Sequence, residues 1–288
     1  MALTATEQLV RLSVVATDLG VGFALFWLGQ FLYQRVFRVV NLNLELFVRD
    51  NVATATALVG YYLGLLIALS GVLTQAPRLA LSQVLNLLGY GIIAILLMLV
   101  GAWVGDRLIL RHLDAAREIQ EEQNLGAAAV EGGLHIANGL ILSTALAGEG
   151  GSWFVGLACW GIGMAVLVGA SFAYPAIARY NVFHEIRRRN NPAAGVAMAG
   201  LLIAVGNSVR VAFLPEFQNW SDSFRDYIVV LVICLAALAV VRWVADWVLV
   251  PGVKISDEIV NQSIPNVGAG LIEAMSYIAS SLLIEWSL

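Results

Sequence analysis

Eight stretches of roughly 20 apolar residues, near 12–34, 52–74, 83–105, 125–147, 153–175, 193–214, 226–249 and 267–287, divide this chain of 288 residues. A hydrocarbon layer about 30 Å thick is crossed by about 20 helical residues, so each stretch is long enough to span a membrane. Leu, Ile, Val and Ala fill them without alternating polar and apolar positions, which favours helices over the strands of a barrel. Composition agrees. Hydrophobic residues make up 60% of the chain and charged residues 12%, against about a quarter charged in an ordinary soluble domain, and mean hydropathy is +0.82. The expected fold is an all-α integral membrane protein with eight transmembrane helices and the lipid bilayer as its first partner. The net charge of −4 is scattered over loops of both signs and offers no surface for nucleic acid. Cys159 and Cys234 lie in apolar runs and read as small buried hydrophobes. The N-terminus lacks the succession of basic, apolar and small residues that marks a removable signal, so the first stretch is expected to stay as an anchor.

Sliding the chain against itself by 140 positions places Asn41 on Asn181, Glu45 on Glu185, Asn51 on Asn191, Gly60 on Gly200, Trp103 on Trp243, Asp106 on Asp246 and Glu118 on Glu258. After a slip of two residues, Asn124, Gly126, Glu131 and Ala137 fall on Asn266, Gly268, Glu273 and Ala279. The chain is an internal duplication, taken as residues 1–150 and 151–288. Each copy holds four spans, an even number, so the repeats are expected to run parallel with a pseudo-twofold axis along the membrane normal, unlike the inverted repeats of many transporters. Basic residues set the orientation. Arg35, Arg38, Arg49, Arg107, Arg117, Arg187 and Arg242 are among those placed in the loops after spans one, three, five and seven, against Arg11, Arg78, Arg210 and Arg225 on the other side. Those loops are expected in the cytoplasm, with both termini periplasmic or exterior.

The stretch "NLGAAAVEGGLHIANG" (124–139) and its counterpart "NVGAGLIEAMSYIASS" (266–281) each put a glutamate inside a span. Glu131, His135 and Asn138 follow at i, i+4 and i+7, on one helical face, and Glu273, Tyr277 and Ser280 form the matching stripe. Charge at that depth is costly and faces a bundle interior or a water-filled cavity, and either carboxyl group could carry a proton. One reading is a proton- or cation-binding pair lining a path between the repeats. The competing reading is interhelical glue, with each glutamate bonded to a neighbouring helix or to an amide such as Gln30. Asp18 in span one is a lesser candidate, open to pairing with Arg210, although Arg210 can also snorkel to the outer interface.

Gly60 and Gly64 in span two, repeated as Gly200 and Ala204 in span six, are small residues at a spacing that lets helix backbones approach closely. They are expected to pack spans two and six together at the pseudo-twofold axis. Asp50-Asn51 and Asn191-Pro192 have the form of helix N-caps. Residues 110–124 and 253–266 carry apolar residues at helical spacing and should form short surface helices able to dock a soluble partner. The histidines, His112, His135 and His184, lie on three segments with no metal spacing, and no nucleophile elbow, phosphate loop or dinucleotide fingerprint occurs. An enzyme, a metal centre and a bound cofactor are therefore not expected.

A "DN" cap opening the second span, small residues behind it, and a block that runs from Glu118 through Asn124, Gly126, Glu131 and Ala137 resemble the YjfL-like bacterial inner-membrane proteins. This is a domain-of-unknown-function family whose members carry one or two such units. Asn191, Gly200, Glu258, Asn266, Gly268, Glu273 and Ala279 carry the second copy, which departs from the pattern at Ala204. The resemblance implies the topology and a bacterial inner-membrane location, and brings no activity with it. The expected function is a passage or binding site for a proton or small cation using Glu131 and Glu273. The alternative is a non-transporting assembly or envelope-stress subunit acting through its cytoplasmic loops. Both are compatible with a homo-oligomer.

Overall fold

The computed structural model describes residues 5–37, 41–73, 81–111, 113–146, 153–215 and 217–288. Arg38, Arg78 and His112 lie outside the described residues. Among those described, eight helices are long and apolar enough to cross a membrane, and the rest of the regular structure is short helices. In chain order the helices are α1 (Ala5–Val36), α2 (Leu42–Phe47), α3 (Val52–Leu73), α4 (Leu81–Val104), α5 (Ala115–Gln120), α6 (Leu125–Ala145), α7 (Trp153–Ala178), α8 (Val182–Arg189), α9 (Pro192–Ala212), α10 (Trp220–Val248), α11 (Ile255–Val260) and α12 (Val267–Ser287). A π-helical turn, Gly105–Ile109, extends α4. The protein is a multi-pass helical bundle made of two tandem repeats.

A finer unit lies inside each repeat. The described residues form four successive hairpins, each with a long outer helix (α1, α4, α7, α10), a short helix, and a core helix (α3, α6, α9, α12). Every core helix begins at an asparagine whose side-chain oxygen accepts from the backbone N–H three residues on. These bonds join Asn51 to Thr54 (3.0 Å), Asn124 to Ala127 (3.1 Å), Asn191 to Ala194 (3.1 Å) and Asn266 to Ala269 (3.2 Å). Such a cap contributes about 1 kcal/mol. The Nδ2 of the same asparagine donates to a glutamate on the preceding short helix. The acceptors are Glu45 (3.0 Å), Glu118 (2.9 Å), Glu185 (3.0 Å) and Glu258 (3.0 Å). Asp50, Gln123 and Asn190, each just before its cap, take positive φ to make the turn. Before Asn266 the loop is two residues longer and ends in Pro265, which cannot adopt that conformation.

The asparagines also link each hairpin to the next. Asn51 Nδ2 donates to the Ile119 carbonyl (3.1 Å), Asn124 to Ile186 (2.8 Å) and Asn191 to Ile259 (2.9 Å). The core helices accordingly stand side by side in the order α3, α6, α9, α12, all starting from the side that carries the short helices. The inner pair, α6 and α9, is the most buried.

Small residues close the seams in a fixed register. Nine residues after the cap stand Gly60, Gly133 and Gly200. Each faces the residue eight after the next cap, namely Gly132, Ala199 and Ala274. A Cβ on Gly60 would come within 2.2 Å of the Gly132 backbone, and one on Gly200 within 2.3 Å of Ala274. Gly64 abuts the His135 carbonyl in the same way, and Ala204 is fully buried. The row ends where the pattern stops: Val59 and Met275 hold the corresponding outward positions and are 54% and 51% exposed.

Helix backbones approach closely at Gly60, Gly64 and Gly200, and the helices that meet there are not the expected ones. Span two (α3) packs on span four (α6), span six (α9) packs on span eight (α12), and the repeats meet through α6 and α9. A twofold axis that pairs α6 with α9 must also pair α12 with α3, yet those two stand at opposite ends of the row. The repeats run parallel and follow one another head to tail; the expected pseudo-twofold relation and the meeting of spans two and six give way to this step along the row.

Candidate functional site

Glu131 and Glu273 each lie seven residues past an asparagine cap, roughly 10 Å into the helix at 1.5 Å per residue. Both are buried, at 6% and 0% exposure. They do not share a pocket. Glu131 faces α1 and α3 within the first repeat, Glu273 faces α7 and α10 within the second, and the tight α6–α9 seam separates them.

At Glu131 the donor is the Tyr33 phenol of α1, in place of the expected Gln30 amide. His135 Nε2 lies 3.5 Å from Glu131 Oε1. The rings of Tyr33, Tyr61 and His135 cluster, with centroids 4.8 to 5.7 Å apart. A cavity of about 30 Å³ adjoins the carboxylate, lined among others by Tyr33, Thr54, Asp106, Gln120 and Glu131. That volume holds one water or one dehydrated ion. Thr54 Oγ1 is buried against it with no hydrogen-bond partner among the described residues. Among the described residues no arginine or lysine pairs with Glu131. Asp106 reaches the cavity from the π-turn, an irregularity often associated with functional positions.

Glu273 has a matching phenol: Tyr174 donates to Oε1 at 2.9 Å. It also has a fixed cation. Arg242 Nε lies 3.1 Å from Glu273 Oε1, Nη1 donates to Asp246 Oδ1 at 2.7 Å and Nη2 to Ser256 Oγ at 2.7 Å. Asp246 also accepts from the Ile255 N–H at 3.1 Å, fastening α11 beneath the site. Arg242 is 2% exposed and lies inside α10, so its assignment to a loop is corrected. Tyr277, fully buried, packs its ring 6.4 Å from that of Tyr174. Tyr180 lies just past α7; burial pushes its phenol up and the nearby Glu273 charge adds to the shift.

The remaining sequence candidates fall elsewhere. Asn138, one turn beyond His135, accepts from Trp160 Nε1 at 2.9 Å and ties α6 to α7. Asp18 has no hydrogen bond or ion pair among the described residues and lies fifteen positions before Tyr33 on α1, roughly 22 Å along a helix. Arg210 does not meet Asp18; it is ion-paired with Glu285 and donates to Asn207 at 3.0 Å. Sequence reasoning missed Tyr33, Tyr174, Thr54 and Arg242. The two tyrosines match at an offset of 141, one step from the offset that revealed the duplication.

These features define a class: a multi-pass membrane protein of repeated helical hairpins with carboxylates buried in its central layer. The model of the family described as Domain of Unknown Function (DUF350) matches residues 6–146 and again 151–288, and the chain belongs to that family in two tandem copies. No curated protein and no solved structure matches the chain.

Proposed function

We propose that the protein binds a proton or small cation at Glu131 and gives it passage through the first repeat. The observation that carries this reading is the charge imbalance between the two glutamates. Glu131 is held by a phenol and lies beside the Asp106 carboxyl and a water-sized cavity, while Glu273 is neutralised by Arg242. A buried carboxylate without a fixed counter-ion is stabilised by a proton or by a mobile cation. The seam between the repeats is closed by Gly133 and Ala199, so the path is assigned to the first repeat and not to the junction. The cavity lies beneath α5, on the side where the exposed loop arginines gather. This supports access from the cytoplasm of a bacterial inner membrane, with both termini outside.

Flux into proteoliposomes tests the reading. Glu131→Gln is expected to abolish a proton, sodium or potassium flux that Glu273→Gln leaves in place. Flux unaffected by Glu131→Gln, or no flux for the unmodified protein under any of these gradients, overturns it.

A second reading, a non-transporting assembly or envelope-stress subunit, draws on Arg187 and Arg188, exposed on α8 with no ion pair among the described residues. It predicts that crosslinking from these residues captures one acidic protein in fixed stoichiometry. It also predicts that the glutamate substitutions cost stability and leave no flux to lose.

A further inference from the structure

We infer that Arg242 is a tethered cation, and that the corresponding place in the first repeat, between Glu131 and Asp106, takes a free monovalent cation. The inference rests on the functional reading above and narrows it from "proton or small cation" to a metal-type monovalent ion. Ala102 and Arg242 are counterparts, each one residue before a tryptophan and four before an aspartate. In the second repeat the guanidinium spans Glu273 and Asp246, and its third nitrogen donates to the Ser256 hydroxyl. The first repeat keeps both carboxyl groups and offers a methyl group at position 102. What stands beside them is the cavity of about 30 Å³, with the Thr54 hydroxyl, 5% exposed, unpartnered against it. One delocalised positive charge satisfies the second site, so one positive charge is the complement of the first. Oxygen ligands such as carboxylates and a hydroxyl suit hard cations, and the single charge of Arg242 at the matching place selects a monovalent one. A volume of one water excludes an ion that keeps its full hydration shell.

The test uses the full chain in nanodiscs, titrated with sodium chloride, potassium chloride or guanidinium chloride at millimolar concentration in a bulky-cation buffer. The unmodified protein is expected to bind one sodium or potassium ion per chain. Ala102→Arg should lose that site. Arg242→Ala should gain a second site, and guanidinium should raise its melting temperature by several degrees while leaving that of the unmodified protein in place. Arg242→Lys, with its charge still tethered, should remain at one site. Retained binding in Ala102→Arg, or an Arg242→Ala protein that neither binds more cation nor responds to guanidinium, overturns the inference. A protein whose flux depends on Glu131 but which binds neither alkali ion also overturns it, while leaving the proton form of the functional reading intact. A protein with neither flux nor binding fails at the functional reading itself.

Discussion

Ala102 of α4 and Arg242 of α10 occupy one position in two successive copies, and at that position the second copy bridges its carboxylate pair with a guanidinium that the first lacks. The contrast makes the second repeat a built-in control for the first. Removing Arg242 leaves Glu273 buried without its counter-ion, which is expected to cost about 3–5 kcal/mol. Arg242→Ala should therefore unfold in micelles at clearly lower denaturant or temperature. The double change Arg242→Ala, Glu273→Gln should recover most of the loss, and no recovery would mean that the guanidinium acts by packing.

The phenols can be ranked in the same way. Tyr33→Phe removes the hydroxyl donor of Glu131, whereas after Tyr174→Phe the carboxylate of Glu273 still has Arg242. Leaving a buried acceptor short of a donor costs about 1–3 kcal/mol. Tyr33→Phe should be the more costly change in thermal unfolding and should reduce flux, with Tyr174→Phe leaving flux near the unmodified level. Equal effects on flux would argue against assigning the path to the first repeat.

The asparagine caps predict a graded series. Asn191 caps α9, holds Glu185 and reaches the Ile259 carbonyl, and it is fully buried. Asn266 caps α12 and holds Glu258, and among the described residues it bonds no carbonyl of another hairpin. Asn191→Ala is expected to cost about 2–3 kcal/mol and Asn266→Ala about 1 kcal/mol. Melting temperatures measured in one detergent would show the order, and a larger loss at Asn266 would contradict the head-to-tail linkage.

Seam glycines should be intolerant and lipid-facing glycines indifferent. A Cβ at Gly60 meets the Gly132 backbone at 2.2 Å, whereas one at Gly89 meets nothing within 4 Å. Gly60→Ala must push α3 away from α6 and is expected to cost about 1–3 kcal/mol, with Gly89→Ala neutral or slightly stabilising. Purified yield and thermal stability of the two variants provide the comparison.

Much of this was readable from residues alone. Span lengths and the buried glutamates announce themselves by composition, and the duplication by identities at one offset. The hairpin unit was hidden because its signature, a glutamate followed by a capping asparagine, is two residues wide, and the caps at 51, 124, 191 and 266 are unevenly spaced. Arg242 was misplaced because an arginine near the end of an apolar run has the composition of a loop residue, and only the geometry of α10 brings it under Glu273. The order of helices in the row could not be read either. When almost every face of a span is apolar, hydrophobic periodicity no longer says which face meets a neighbour.

The seam of Gly133 against Ala199 joins the two repeats within one polypeptide. In an assembly of separate identical subunits, every copy of a site must carry the same residue, and an arginine acquired in one would appear in all. Covalent fusion lifts that constraint. It lets one half of the row become a fixed electrostatic strut while the other stays chemically open, so the asymmetry is heritable and its stoichiometry is always one to one.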